Sequence, residues 1–229
     1  MKRLYCIIFV VAMTLSTFLL TACQGNEPET VEISEEEAIE MVRKAWNDIE
    51  EQKHNRIWVE WENYGSDLTY AIDVSDEKYI SYENYRGYET YYIVDSNGYQ
   101  SIDVDINGTV DAYRGNISEE ERNWHIGNFG HGGENPISLL EDWTFGFIET
   151  LEHKEEFTEV TLSATKTGDK VSLDLRLGGK TETYEYEGRL ILEIVDEKIV
   201  RCVYYDGDNI LADANYSYGK HIELPQIDE

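Results

Sequence analysis

Apolar residues recur along this chain with two different periods. Ser34 and Glu37 have the spacing of a capping box, and Ala38, Met41, Val42, Ala45, Trp46 and Ile49 then fall on one helical face. Glu40, Arg43, Lys44, Asp48 and Glu51 occupy the other side, so the pattern predicts an amphipathic helix from about Glu35 to Gln52 with a solvated charged face. Beyond Asn55 the period becomes two. Ile57, Val59 and Trp61 alternate with polar positions, and similar runs follow at Leu68–Val74, Tyr79–Tyr85 and Tyr88–Val94. Asp95-Ser96-Asn97-Gly98 and Asn107-Gly108 supply the positive φ of tight hairpin turns, so these runs read as an antiparallel meander.

The middle of the chain interrupts this alternation. Gly115 to Glu134 contains a second helix-start signal at Ser118-Glu119-Glu120-Glu121, followed by a glycine-rich stretch from His125 to Gly133, and is read as a mobile loop. Asn135 and Pro136 open another helix, in which Leu139, Leu140, Trp143, Phe147, Ile148 and Leu151 keep a helical period up to His153-Lys154. Strand alternation then returns at Phe157–Ala164, Lys170–Leu177, Thr183–Val195, Lys198–Tyr205, Ile210–Tyr218 and a short His221–Leu224. This order predicts an α+β fold: one large curved antiparallel sheet of about 11 strands, an unclosed β-barrel, wrapping two or three helices.

The N-terminus carries an address. Lys2 and Arg3 precede an apolar run from Leu4 to Leu20 that ends in Leu20-Thr21-Ala22-Cys23, and it is too short and wrongly flanked for a stable membrane span. The last four of these residues resemble the bacterial lipobox, which implies cleavage after Ala22 and a diacylglyceryl group on Cys23. The expected organisation is a signal peptide over 1–22, a lipidated Cys and acidic tether over 23–33 and a single domain over 34–229. The tether, with Pro28 and no periodicity, has a root-mean-square reach of roughly 15–20 Å. Two acyl chains suffice for stable attachment at an extracytoplasmic membrane face.

Composition narrows the function. The 229 residues include 47 Asp or Glu against 19 Lys or Arg, a formal charge of −28, which excludes nucleic-acid binding through phosphate neutralisation. Loss of residues 1–22 removes Lys2 and Arg3 and no acid, leaving 17 bases and a charge of −30. Anionic headgroups repel such a body, so the domain is expected to stand off the bilayer. Of three cysteines, Cys6 leaves with the signal and Cys23 is lipidated. Cys202, in an alternating strand run, is left as a small buried hydrophobe with no disulfide partner in the mature chain.

Signals for chemistry are few. Asp103, Asp105, Asn107, Gly108 and Asp111 match the first nine positions of a calcium loop, but its twelfth position is Arg114 instead of Glu. An ordinary hairpin explains the same alternation, and calcium stands as the lesser alternative. His125, His131 and Glu134 lack the spacing of zinc ligands on one helix face. No cofactor, no catalytic residue and no enzymatic activity are expected: serine-nucleophile motifs are absent, and a carboxylate pair cannot be singled out among so many acids. Tyr79, Tyr82, Tyr85, Tyr88, Tyr91, Tyr92 and Tyr99 lie within one short stretch, and either pack a sheet or form an aromatic wall for a lipid chain or a sugar.

Lipobox, tether, amphipathic helix, meander, inserted helices and second meander together resemble the LolA-type and LppX-type lipoproteins. The ending Tyr216-Ser217-Tyr218-Gly219-Lys220-His221-Ile222-Glu223-Leu224-Pro225 is similar to the terminal strand pair of that group. The resemblance implies a half-barrel lidded by helices, whose apolar cavity takes a lipid or acyl chain for carriage or sensing. It places Met41 and Trp46 of the first helix and Leu140, Trp143 and Phe147 of the second near that cavity, residues a closed core would use equally well. Two alternatives stay open. One is an envelope module that recognises a protein or glycan through exposed aromatics without a cavity. The other is an exported hydrolase, for which no residue speaks directly.

Overall fold

A computed structural model describes residues 28–51, 56–63, 66–75, 77–127, 136–180 and 185–227. The expected signal peptide, Cys23, His131, Glu134 and the start of the Thr183–Val195 run lie outside the described residues. The chain order is β1 (Thr30–Glu32), α1 (Glu35–Glu51), β2 (Arg56–Asn63), β3 (Ser66–Val74), β4 (Tyr79–Tyr85), β5 (Tyr88–Asp95), β6 (Gly98–Val104) and β7 (Val110–Gly115). It continues with α2 (Glu119–Gly127), α3 (Pro136–Glu152), a 3₁₀ turn at Lys154–Glu156, β8 (Glu159–Thr167), β9 (Lys170–Lys180), β10 (Glu185–Val195), β11 (Lys198–Asp206) and β12 (Asn209–Tyr218). The fold is α+β: among the described residues twelve antiparallel strands form one open sheet in the order β1-β8-β9-β10-β11-β12-β2-β3-β4-β5-β6-β7, accompanied by three helices.

Helix starts follow the sequence signals. The Glu37 amide donates to Ser34 Oγ at 3.2 Å, and at α2 the box is reciprocal: the Glu121 amide donates to Ser118 Oγ at 3.1 Å and the Ser118 amide to Glu121 Oε2 at 3.0 Å. The apolar stripe of α1 and the residues Ile137, Leu140, Thr144, Phe147, Ile148 and Leu151 of α3 are buried against the concave side of the sheet. Ion pairs Arg43–Glu152 and Lys154–Glu35 tie α1 to the end of α3 and to the 3₁₀ turn that follows it. The inner positions of both meanders complete this core, from Ile57, Val59 and Trp61 on β2 to Leu173, Leu175 and Leu192 on β9 and β10.

The first meander is apolar on its convex side as well. Ala71, Ile80, Tyr82, Tyr91, Ile93 and Ile102 form a second buried cluster, with Trp58 packed beside them. Its cover is the chain end. Ile222 inserts into the cluster, Lys220 Nζ lies 3.3 Å from the centre of the Trp58 ring, and His221 Nδ1 is 2.9 Å from Asp73 Oδ2. The convex side of the second meander is polar instead and is laced by bidentate Arg189–Asp174 and Arg201–Asp213 pairs.

Four expectations change. Residues 30–32, assigned to the tether, pair with Thr165–Thr167 as a short edge strand, and Ile33 packs on the core. Residues 119–127, assigned to a mobile loop, are helical, because the Ser118 box satisfies the first-turn amides. Gly178 and Gly179, which fall between the expected Lys170–Leu177 and Thr183–Val195 strands, sit inside the β9–β10 ladder opposite Glu187 and Tyr186. The expected strand at His221–Leu224 is not a strand; the segment crosses the convex face as a strap.

Candidate functional site

Register places the concave side chains of the first meander in rows. One row crosses β2 to β7 as Val59, Tyr70, Glu83, Thr90, Asp103 and Asp111, and the next as Ile57, Ile72, Ser81, Tyr92, Ser101 and Tyr113. Each row starts in the apolar core and becomes polar and open toward β7. Beside the first row, the hairpin tip brings Tyr85 and Tyr88 opposite each other, and the turn between them, Arg86 at φ 54° and Gly87 at φ 85°, is capped by Asn84 Oδ1 on the Gly87 amide. Tyr85 is 40% exposed, Tyr88 56% and Tyr113 64%, on the same concave side as the exposed carboxylates Glu83, Asp103 and Asp111.

α2 closes the far side of this patch. His125 packs against Tyr92 and Tyr79, with ring centres 5.4 and 5.7 Å apart, and Tyr92 packs on Tyr99 at 5.7 Å. Burial lowers the His125 pKa, opposed by the Glu121 carboxylate, so the imidazole there favours its neutral form. Its Nδ1 has no hydrogen-bond partner among the described residues. Hydrogen bonding to Tyr113 and burial both raise the Tyr99 pKa, and burial raises those of Tyr70 and Tyr79, whose hydroxyls bond to each other. These phenols are neutral donors and acceptors at neutral pH.

Asp103 and Asp111 are directly opposite across β6 and β7, a like-charge pairing that costs stability. Thr90 Oγ1 donates to Asp103 Oδ1 at 2.8 Å, whereas Asp111 and Glu83 have no ion-pair partner among the described residues. Such a surface can stack a ring face, accept hydrogen bonds from hydroxyls or ammonium groups, and attract cations.

The sequence candidates are dispersed. Trp46, Leu140 and Phe147 are sealed in the concave core, with Phe145 meeting Trp46 edge-on, and Trp143 stacks on Tyr204 at 6.5 Å. Met41 lines a cavity, a space of about 460 Å³ between α1 and the turns at Gly168-Asp169 and Asp196-Glu197. Its floor is Met41, Val171 and Ile194; its rim is Glu37, Glu40, Asp169, Asp196 and Glu197 against Lys44 and Lys166.

The calcium-loop residues form a hairpin. Asp105 Oδ1 accepts the amides of Asn107 and Thr109, each at 2.8 Å, which lowers its pKa, while Asp103 and Asp111 point to the concave side. Among the described residues no group of three or more His, Cys, Asp or Glu could hold a metal ion. Cys202 is buried and unpaired, and burial pushes its thiol pKa well up, so it is inert packing.

Tyr113 and Glu83 join this face only through strand register. Their signal was present in the alternation that puts Tyr85, Glu83, Thr90, Asp103 and Tyr113 on one side of adjacent strands, but using it requires the register. Compared with known proteins, the chain matches no protein-family model and no curated protein.

Proposed function

We propose that this protein is a lipid-anchored, extracytoplasmic, non-enzymatic recognition module of the cell envelope. It is held through Cys23 and presents the concave tyrosine and carboxylate face of its first meander to a protein or glycan. The observation that carries the reading is that Tyr85, Tyr88 and Tyr113 stand exposed beside three carboxylates on one concave face, while Trp46, Leu140 and Phe147 are packed shut. Exposed aromatics in a soluble domain forgo burial worth about 1.5–3 kcal/mol for a large apolar side chain, and their clustering beside hydrogen-bonding groups favours recognition. The acidic body keeps this face in solvent, away from anionic lipid.

The test uses the mature domain with Cys23 replaced and isolated envelope sheets as the probe. Tyr85→Ser with Tyr88→Ser is expected to abolish retention while leaving the thermal midpoint within a few degrees of wild type. Retention unaffected by the double variant would overturn the reading. The lipid-carrier reading keeps the support of the 460 Å³ cavity with its apolar floor. Native mass spectrometry followed by solvent extraction decides between them: a co-purifying acyl chain would favour the carrier, and an apo mass with no uptake of added fatty acid or phospholipid the recognition module.

A further inference from the structure

An open sheet has two edges, and here they differ. One edge is β1, three residues long. The other is β7, six residues in regular register with β6, without a bulge, a proline or a lysine, and exposed from Asp111 to Arg114. The two-residue turn that pairs Asp95 with Gly98, and the Asp105 amide bonded to the Thr109 carbonyl at 3.0 Å, set the alternation of hydrogen bonds. It follows that Asp111, Tyr113 and Gly115 bond to β6, while Val110, Ala112 and Arg114 turn their backbone N–H and C=O groups outward. Among the described residues nothing pairs with that edge.

Side chains decide what can pair there. Asp111 and Tyr113 project to the concave side, Val110, Ala112 and Arg114 to the convex side. A second copy of this chain, or any acidic strand, would bring carboxylates against Asp111, and the net charge of −28 adds long-range repulsion. A basic strand meets the reverse. A strand added at the usual spacing of about 4.8 Å puts its concave-side residues next to Asp111 and Tyr113, with Asp103 about 10 Å away and within reach of a lysine or arginine head group. The aromatic ring of Tyr113 adds a cation–π surface to the same position. On the convex side Val110 and Ala112 offer small apolar contacts, and Arg114 repels a further base.

We propose that β7 is a strand-addition site for an extended basic segment of a partner protein, with alternate Lys or Arg side chains on the concave side beside Asp111 and Tyr113 and small apolar residues between them. Backbone pairing with Val110, Ala112 and Arg114 would supply affinity and the carboxylates the selectivity. This deepens the recognition-module reading and rests on it.

The experiment measures fluorescence anisotropy of labelled peptides of alternating Lys and Val, or alternating Glu and Val, against the mature domain with Cys23 replaced. The Lys-Val peptide is expected to bind and the Glu-Val peptide not. Ala112→Pro, which removes an outward N–H without touching the β6 ladder, should weaken binding by about tenfold or more. Asp111→Lys should reverse the preference between the peptides and serves if Ala112→Pro fails to fold. Circular dichroism and thermal midpoint report folding of each variant. Lys-Val binding insensitive to Ala112→Pro and lost in salt would show charge adsorption alone and overturn the proposal, as would no binding by either peptide. A wild-type dimer that Ala112→Pro renders monomeric would make a second copy the occupant and overturn it too. Envelope retention that depends on Tyr85 and Tyr88 but not on Ala112 would sink strand addition and leave the recognition module standing.

Discussion

Ile222→Ala tests whether the C-terminal strap is a structural layer of the sheet. Ile222 is 8% exposed and reaches the convex cluster from a segment with no strand or helix pairing of its own. The substitution removes three carbons, so at about 0.8 kcal/mol per methylene the transfer loss is about 2.4 kcal/mol. The added cavity cost is small because a surface strap can settle into the gap. The loss also has a ceiling. Once the strap lifts, its remaining contacts, chiefly Lys220 over Trp58 at about 0.5–1 kcal/mol, go with it, and the ordering entropy of the segment is recovered. We expect about 2 kcal/mol in urea unfolding followed by tryptophan fluorescence, and a midpoint about 4–8 °C lower on heating. Truncation after Gly219 should cost only slightly more. A loss under about 0.5 kcal/mol would refute burial of Ile222 in the convex cluster. A loss above about 4 kcal/mol would show that the strap and the concave core unfold as one unit instead of as separate layers.

Three further outcomes are expected. Asp196 and Glu197 turn the β10–β11 hairpin with φ of 49° and 63°, so Asp196→Asn with Glu197→Gly should stabilise by about 1 kcal/mol in chemical denaturation, less the exposed Lys44–Glu197 ion pair. His125 holds its proton less tightly folded than unfolded. Falling pH therefore protonates the unfolded chain first, and stability is lost below about pH 6.5 until the folded pKa is passed. Protection of the α2 amides, taken relative to intrinsic exchange at each pH, should fall over that range, and His125→Phe should flatten the response. Asp174 is the opposite kind of group: hydrogen bonding and proximity to Arg189 lower its pKa, so its contribution is present above about pH 4 and disappears as pH falls through the folded value. Asp174→Asn should make the acid limb of a stability profile shallower, and an unchanged limb would refute the assignment.

Local pattern carried much of this architecture. Two periods separated helices from strands, and paired turn residues marked the hairpins, because each depends on neighbours within a few positions. What escaped depends on distance along the chain. The convex cluster had a local trace in consecutive apolar positions such as Tyr91-Tyr92-Ile93-Val94, which indicate a strand covered on both faces, yet its cover comes from Ile222, more than a hundred residues later. α2 was obscured by the glycines that follow its capping box. Trp46 and Phe147 show the limit for the site: an inward helix face reads identically whether it lines a cavity or fills a core. The exposed tyrosines emerge only when Tyr85, Tyr88 and Tyr113 are placed in register.

The last strand, β12, lies between the two meanders and pairs Ala212–Tyr218 with Ile57–Asn63, a separation of about 150 residues. Among the described residues every other ladder except β1–β8 joins strands adjacent in sequence. Each meander can thus assemble by zipping hairpin to hairpin, but the joint between them must wait for the final stretch of chain. For a polypeptide emerging N-terminus first, β2 would be the open margin of a half-built sheet until β12 arrives, with Trp58 uncovered until the strap follows. Closing that long loop is the slow step such a topology imposes, and it makes the β2–β12 seam the place where a holding chaperone or an aggregating neighbour competes with the protein's own C-terminus.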